Sequence, residues 1–368
     1  MRKLRFIFIF ALIFSSKLYA VVDFEDAVFP ELATSSRALA MGNAFVAKAD
    51  DSSAVFYNPA GLGTVRYPHL HLSNFTIETN RDGMSAASAG SGLSTLPNLI
   101  SMFSIDGTRK VLLANPGKFS HSRLHALPNF TSRYFSMGYL VAKRTRAVVS
   151  DATSATGFEF ADRTDHGPYA AINLSLFGGV FKVGASAIFL NRSELTGTID
   201  PRVTFDEVTH PYYKGSAFII TTGGKITLPV VMLPTFAATL HNSGNNKFSG
   251  RGSAGAPNDI AQSLDAGFSL TPQLSTSSRI HLEINYKDLT NQFSNVSATR
   301  KLLLGMEFDI MRVFFFRLGY GDGFGSAGLG IKSRMAEFDL TTYAVDTSSA
   351  AFRGSEDRRF ALGISSGF

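Results

Sequence analysis

The residues that could do chemistry are scattered and of few kinds. His69 and His71 stand two apart on a predicted strand, so their imidazoles share one face and could begin a metal site. Spacing brings no third ligand, so the pair reads as polar lumen or rim residues and no metal or cofactor is expected. Gly319, Gly321, Gly323 and Gly325 superficially resemble a nucleotide loop. Their spacing is wrong and they follow a strand without opening a helix, so they read as a hairpin turn. There is no Gly-x-Ser-x-Gly elbow, phosphate loop or His-Glu-x-x-His helix, and a chain without Cys has no thiolate nucleophile. No enzyme is expected. What remains is charge confined to one face of alternating segments: Arg279, His281, Glu283, Glu307, Asp309, Arg317, Glu337, Asp339 and Arg359. Both signs at close quarters form ion pairs and hydrogen bonds, the chemistry of a braced wall or a clamped insert and not of a selective ion path.

The elements that carry these charges are strands. Ile280, Leu282, Ile284 and Tyr286 alternate with Arg279, His281, Glu283, Asn285 and Lys287, giving one greasy and one charged face. The same alternation runs through 302–310, 314–320 and 337–340. It ends in Phe360, Leu362, Ile364 and Phe368, and a terminal aromatic on such a last strand resembles the signal that outer-membrane barrels present to their assembly machinery. Gaps between strands alternate long and short, as in a barrel with short periplasmic turns and longer external loops. Extending the phase backwards places strands near 69–79, 124–130, 134–142, 168–177, 180–190, 216–227, 233–241 and 263–271, with one more near 325–332. The expected fold is all-β, a transmembrane antiparallel barrel of about 14 strands; a soluble sandwich or propeller is the competitor.

Composition agrees with that choice. The mature chain has no apolar run of about 18 residues, so membrane helices are excluded, and a closed barrel is the other way to span lipid without unpaired backbone. Residues 1–20, with Arg2, Lys3 and Arg5 before an apolar run, have the tripartite pattern of a secretory signal peptide. Its four cations account for most of the basic charge: without them 31 basic residues face 29 acidic ones, and a nucleic-acid partner loses its support. The barrel is expected over 67–368, with an external insertion at 80–123. There Leu96, Ile100 and Phe103 recur at helical spacing, and Val111, Leu112 and Leu113 follow a break at Gly107. Further external loops are expected at Asn191 to Gly215 and Ser243 to Pro257.

Residues 21–66 fit neither strand nor loop. Asp50 and Asp51 are placed to cap a short helix through Phe56 or Tyr57, which Pro59 and Gly61 stop. The run Asp50-Asp51-Ser52-Ser53, followed by Asn58-Pro59-Ala60-Gly61-Leu62, resembles the N-terminal region of the FadL-type outer-membrane transporters and their PorV-like relatives. The resemblance covers about 25 residues and implies a helical hatch in the barrel lumen, with Asp50, Asp51, Asn58, Pro59, Ala60 and Gly61 as hatch residues. It further implies a protein in the outer membrane of a Gram-negative-type bacterium, surrounded by outer-membrane lipids. The implied function is passive uptake of a hydrophobic small-molecule ligand such as a long-chain fatty acid or hydrocarbon, gated by the hatch. The alternative is a PorV-like scaffold or binding partner for secreted proteins, in secretion or conjugal transfer.

Overall fold

The computed structural model describes residues 28–88, 95–348 and 352–368, so the expected signal peptide lies outside the described residues. Fourteen antiparallel staves form one sheet that closes on itself. The first is β1 (His69–Asn80). The second, β2, runs over Phe119–Ala126 and, after a break at Leu127 and Pro128, over Asn129–Thr131. Four long staves follow: β3 (Phe135–Val149), β4 (Phe158–Leu176), β5 (Phe181–Ile199) and β6 (Tyr213–Thr227). Then come β7 (Thr235–His241), β8 (Ser263–Leu270), β9 (Ser278–Tyr286), β10 (Leu302–Ile310) and β11 (Phe314–Gly321). The barrel ends with β12 (Phe324–Lys332), β13 (Ala336–Asp346) and β14 (Glu356–Gly367). The first and last staves join in register, with Ile77 opposite Leu362 and Phe75 opposite Ile364, and the Leu70 and Phe368 backbones exchange two hydrogen bonds of 3.0 Å.

Alternation along each stave decides which face meets lipid. Leu282 and Ile284, Leu302 and Leu304, and Phe316 and Leu318 are exposed on the outside, while Glu283, Asn285, Glu307 and Arg317 between them are buried inside. Staves of eight or nine residues, tilted in the wall, span the apolar band of about 25 Å that an outer-membrane barrel presents. A closed barrel with such a belt is a membrane-spanning protein of the outer membrane.

Staves β3 to β6 climb well beyond the belt, and the loop expected from Asn191 is strand as far as Ile199. Above the membrane Thr145, Arg146, Asp162 and Arg163 make both faces polar, so the period-two signal fades while backbone pairing continues. The insertion after β1 folds as three helices, Arg81–Ala87, Thr95–Ser101 and Ile105–Leu113. Met102, Ile105, Val111 and Leu112 bury Phe158, Phe160, Leu195 and Ile199 of the extended staves. Gly107 does not break the third helix. It lies inside it, where a Cβ would stand 2.0 Å from the Ser101 carbonyl oxygen, so its smallness seats the helix on the preceding turn.

Candidate functional site: a hatch between two cavities

Residues 28–66 fill the lumen. Short helices at Ser36–Ala40 (α1) and Ala54–Tyr57 (α2) are joined by turns, and a 3-10 turn, Pro59–Thr64, leads to the first stave. Asn43, with a positive φ of 64°, is the knot of this segment. Its amide donates to the Val28 carbonyl at 2.9 Å and to Glu31, and its oxygen accepts from the Tyr57 hydroxyl at 2.9 Å. Glu31 in turn accepts from Lys287 of the wall.

The expected capping by two aspartates is corrected. Asp51 accepts from the Ser53 amide at 2.9 Å, forming a turn ahead of α2, whose start at Ser53 has no side-chain cap. Asp50 turns away to Arg37, Nη1 to Oδ1 at 2.6 Å, and lies 3.3 Å from Lys48. α2 ends at Tyr57, as expected, with Asn58 extended immediately ahead of Pro59; Pro59 and Gly61 then open the following 3-10 turn, where Asn58 takes the capping role. Its oxygen accepts from the Ala60 amide at 3.0 Å while its amide donates to the Val46 carbonyl at 3.0 Å and the Gly224 carbonyl at 3.4 Å. Asn58 thus ties both halves of the hatch to β6.

One buried cluster fixes the first half. Arg37 makes a two-pronged contact with Glu307, Nε to Oε2 at 2.6 Å and Nη2 to Oε1 at 2.7 Å. Arg317 donates to the same carboxylate at 2.8 Å and reaches Asp339 on the second stave beyond. The stave between them carries Gly330, where a Cβ would lie 2.5 Å from the Asp339 carboxylate, so the missing side chain lets the pair meet. Burial opposes charge on Arg37 and Asp50 alike. The carboxylates around Arg37 override it and raise the guanidinium well above its ordinary pKa, and Arg37 and Lys48 hold the Asp50 carboxyl well below the usual carboxylate range.

The other charged wall residues divide. Glu283 joins the hatch by accepting from the Ala47 amide at 2.7 Å, and it also bonds His281 at 2.9 Å. Arg279 pairs with Asp309 at 2.7 Å across two staves, and Glu337 with Lys332 at 2.6 Å. Arg359 pairs with Asp357 at 2.7 Å. The first two pairs tie neighbouring staves of the wall, and the third lies within the last stave. His69 and His71 line the inner mouth with ring centres 5.7 Å apart. Phe360, Leu362 and Ile364 lie on the closing stave, and Phe368 follows it, its backbone bonded to Leu70.

The sequence reading missed the glycines of the wall. A Cβ on Gly319 would lie 2.1 Å from the Met41 carbonyl carbon, on Gly321 2.3 Å from the Gly42 oxygen, and on Gly328 2.5 Å from Ala40. On the opposite wall a Cβ on Gly184 would meet Pro59 at 2.4 Å and one on Gly223 the Asn58 oxygen at 2.1 Å. Gly319 and Gly321 are therefore lumen-facing strand residues that admit the hatch backbone, and of the four glycines read as a turn Gly323, with φ 87°, makes it. The available signal was their period of two, which puts glycine repeatedly on one face of a strand.

The hatch separates two cavities. The outer one, about 130 Å³, has Val55, Phe56, Ile188 and Ile219 on its apolar side and Arg144, Arg163 and Arg192 on its charged side. Arg192 is held by Asp165 at 2.8 Å and stacks 4.8 Å from the Phe248 ring centre. The inner one, about 740 Å³, opens among the short turns and is lined by Ser52, Ser53, Lys48 and Asp50 of the hatch. Residues 52–56 are the partition.

The geometry is that of a closed 14-stave outer-membrane barrel whose N-terminal segment fills the lumen. No protein-family model matches the chain, and no curated protein matches it in sequence. A solved structure shares the fold, and others are similar to it in part. The chain is similar to the CymD monoaromatic hydrocarbon channel with a TM-score of 0.51 at 10% identity, over 90% of this chain and 96% of that one. The toluene transporter TbuX of Ralstonia pickettii gives 0.49 at 13% identity, over 93% and 100%. A FadL homologue of Pseudomonas aeruginosa gives 0.45 at 9%, over 90% and 98%.

Proposed function

We propose that the chain carries out passive uptake of hydrophobic compounds, long-chain fatty acids or hydrocarbons among them, across the outer membrane, with residues 50–61 of the hatch as the gate. The observation that carries this reading is the pair of cavities on either side of residues 52–56. A solute in the outer cavity touches Val55 and Phe56, while Ser52 and Ser53 face the inner one. Displacing one turn of chain would connect them. The apolar floor favours a greasy solute, which a water-filled pore would not hold, and the arginines beside it suit a carboxylate head. In this role the protein binds and conducts without chemistry, and its partners are the lipids around the belt, the barrel-assembly machinery at Phe368 and the hydrophobic ligand.

Uptake of labelled oleate by cells carrying the intact chain, compared with an Asn58→Ala, Pro59→Ala double variant that still assembles, tests the reading. Uptake above an empty-vector control that changes several-fold in the double variant supports it. No uptake by either, with normal assembly, removes it. One observation favours the scaffold reading: on the external helix Thr95–Ser101, Leu96 and Ile100 are 67% and 64% exposed and offer apolar surface to a secreted protein. Capture of a secreted partner that an Ile100→Lys variant abolishes, in a protein that transports nothing, would establish it instead.

A further inference from the structure

The two rims of the barrel differ in what their connections carry. Outer connections mix both signs of charge, as in Asp200 with Arg202 and Glu207 with Lys214. The short inner turns and the approach to β1, at 64–68, 132–134, 177–180, 228–234, 271–277, 311–313 and 333–335, contain no Asp or Glu. Backbone geometry divides the same way. At positive φ the outer connections place Asn242, Asn245, Asp288, Asn291, Asp322 and Arg353, mostly the small polar residues that tolerate this conformation. The inner turns place Phe177, Met232, Leu233, Met311 and Arg312 there, long or bulky side chains for which it is strained. Strain kept for the sake of an apolar tip fits a surface that meets a non-aqueous phase.

Part of this rim pairs an arginine with an apolar neighbour: Arg66 with Tyr67, Arg133 with Tyr134, Arg312 with Met311 and Arg334 with Met335. The arginines are exposed, and their neighbours are 57% to 68% exposed. Stave order makes the four pairs consecutive around the rim. They follow one another from the β10–β11 turn to the β12–β13 turn, across the seam to the approach to β1, and on to the β2–β3 turn. The other inner turns, β4–β5, β6–β7 and β8–β9, expose Phe177, Val231 and Leu274 and carry no charge. The rim therefore has a cationic arc and a purely apolar one, and both continue the lipid-facing belt. Arg133 and Arg312 stand two residues before the exposed Phe135 and Phe314. That is about 7 Å along an extended chain, the thickness of the head-group layer that flanks the hydrocarbon core. Arg66, Arg312 and Arg334 also border the mouth of the inner cavity, so the arc runs where lumen, head groups and periplasm meet.

We propose that the cationic arc is a docking surface for anionic phospholipids of the periplasmic leaflet. Each arginine holds the phosphodiester oxygens of a head group, and the adjoining Tyr or Met lies along the upper part of its acyl chains. A guanidinium fork matches phosphate oxygens, tyrosine is at home where one end is apolar and the other wet, and basic residues at a membrane surface favour anionic lipid. Lipid fits better than a periplasmic protein because apolar tips stand on every inner turn and join the belt all the way round, whereas a protein would cover one sector. The surface stands on the rim alone and makes no use of the uptake reading.

The test places the full-length protein in phosphatidylcholine vesicles with a trace of spin-labelled phosphatidylglycerol or spin-labelled phosphatidylcholine. The motionally restricted part of the spin-label spectrum gives the association of each lipid with the barrel. The parent is expected to prefer phosphatidylglycerol by about threefold or more, and less so in about 1 M salt, because the arginines are exposed. A variant with Arg66→Gln, Arg133→Gln, Arg312→Gln and Arg334→Gln is expected to show no preference. One with Lys110→Gln, Lys214→Gln, Lys247→Gln and Arg251→Gln removes the same charge from the outer connections and is expected to behave as the parent. Circular dichroism of the strands checks that both are folded; should the first fail to fold, Arg133→Gln and Arg334→Gln alone are each expected to lower the preference. A parent without preference, or an equal loss in the two fourfold variants, overturns the surface. A preference retained by the inner variant overturns it too and leaves the arc to a protein with an acidic face. Loss of the parent's preference in millimolar inorganic phosphate at constant ionic strength would show a free-anion site and equally overturn the lipid assignment. The preference in a protein that imports no oleate would remove the uptake reading and leave the surface standing.

Discussion

The two halves of the hatch are held by different physics. The first, Ser36 to Val46, lies on staves β9 to β13 with its backbone against glycines, and its one arginine is locked into a three-stave cluster of buried charge. The second touches its wall through Asn58 and Pro59 at Gly184 and Gly223, and through a hydrogen bond of 2.7 Å from Ser186 to the Val55 carbonyl. One half is an anchor and the other a partition. An insert that must both stay in a barrel and let solute past needs these properties in different segments, and the cavities meet at the less tethered one.

Breaking the anchor has the largest expected effect. Glu307→Ala leaves Arg37 and Arg317 buried around a missing carboxylate and is expected to cost about 3–5 kcal/mol, read as a lowered midpoint in urea or heat unfolding of the folded barrel. Gly319→Val pushes a side chain into the Met41 backbone and is expected to cost about 1–3 kcal/mol. Its second signature is raised ion conductance in planar bilayers, because the hatch can no longer seat. Asn58→Ala removes three hydrogen bonds from the partition and is expected to cost about 1–2 kcal/mol, while changing solute uptake more than Gly319→Val changes stability-corrected uptake. An Asn58→Ala variant with unaltered uptake would erase the distinction between the halves.

The smallest effect is with pH. The folded-state pKa of Asp50 lies below its unfolded value, so the stability from its pairing with Arg37 and Lys48 is fully present above the ordinary carboxylate range and is lost only as pH falls through the depressed value. Hydrogen exchange of the hatch amides is expected to be the same at pH 7 and pH 5 once corrected for intrinsic rates. Protection that collapses between those values would place the pair outside the anchor.

Strand positions were legible because the lipid-facing belt imposes a strict alternation on residues such as Leu302, Leu304 and Met306, and each of the fourteen expected strands has a stave at its place. The extensions of β4 and β5 were not, since above the membrane both faces carry polar groups. In the hatch the Asn58-Pro59-Ala60 turn could be read locally, for it is made by neighbours. The partner of Arg37 could not, because Glu307 is 270 residues away and any of several acidic wall residues would have satisfied the pattern. Glycine was the hardest to read: its role at Gly319 or Gly223 is to leave room for a backbone that comes from the other end of the chain.

Closure has a consequence for the order of assembly. The seam joins Leu70 to Phe368, so the wall cannot shut until the stave ahead of Phe368 has been made and placed. The hatch bonds staves on both sides of the lumen, so a hatch laid on the inner face of the curling sheet before closure leaves the last strand to seal a chamber already occupied.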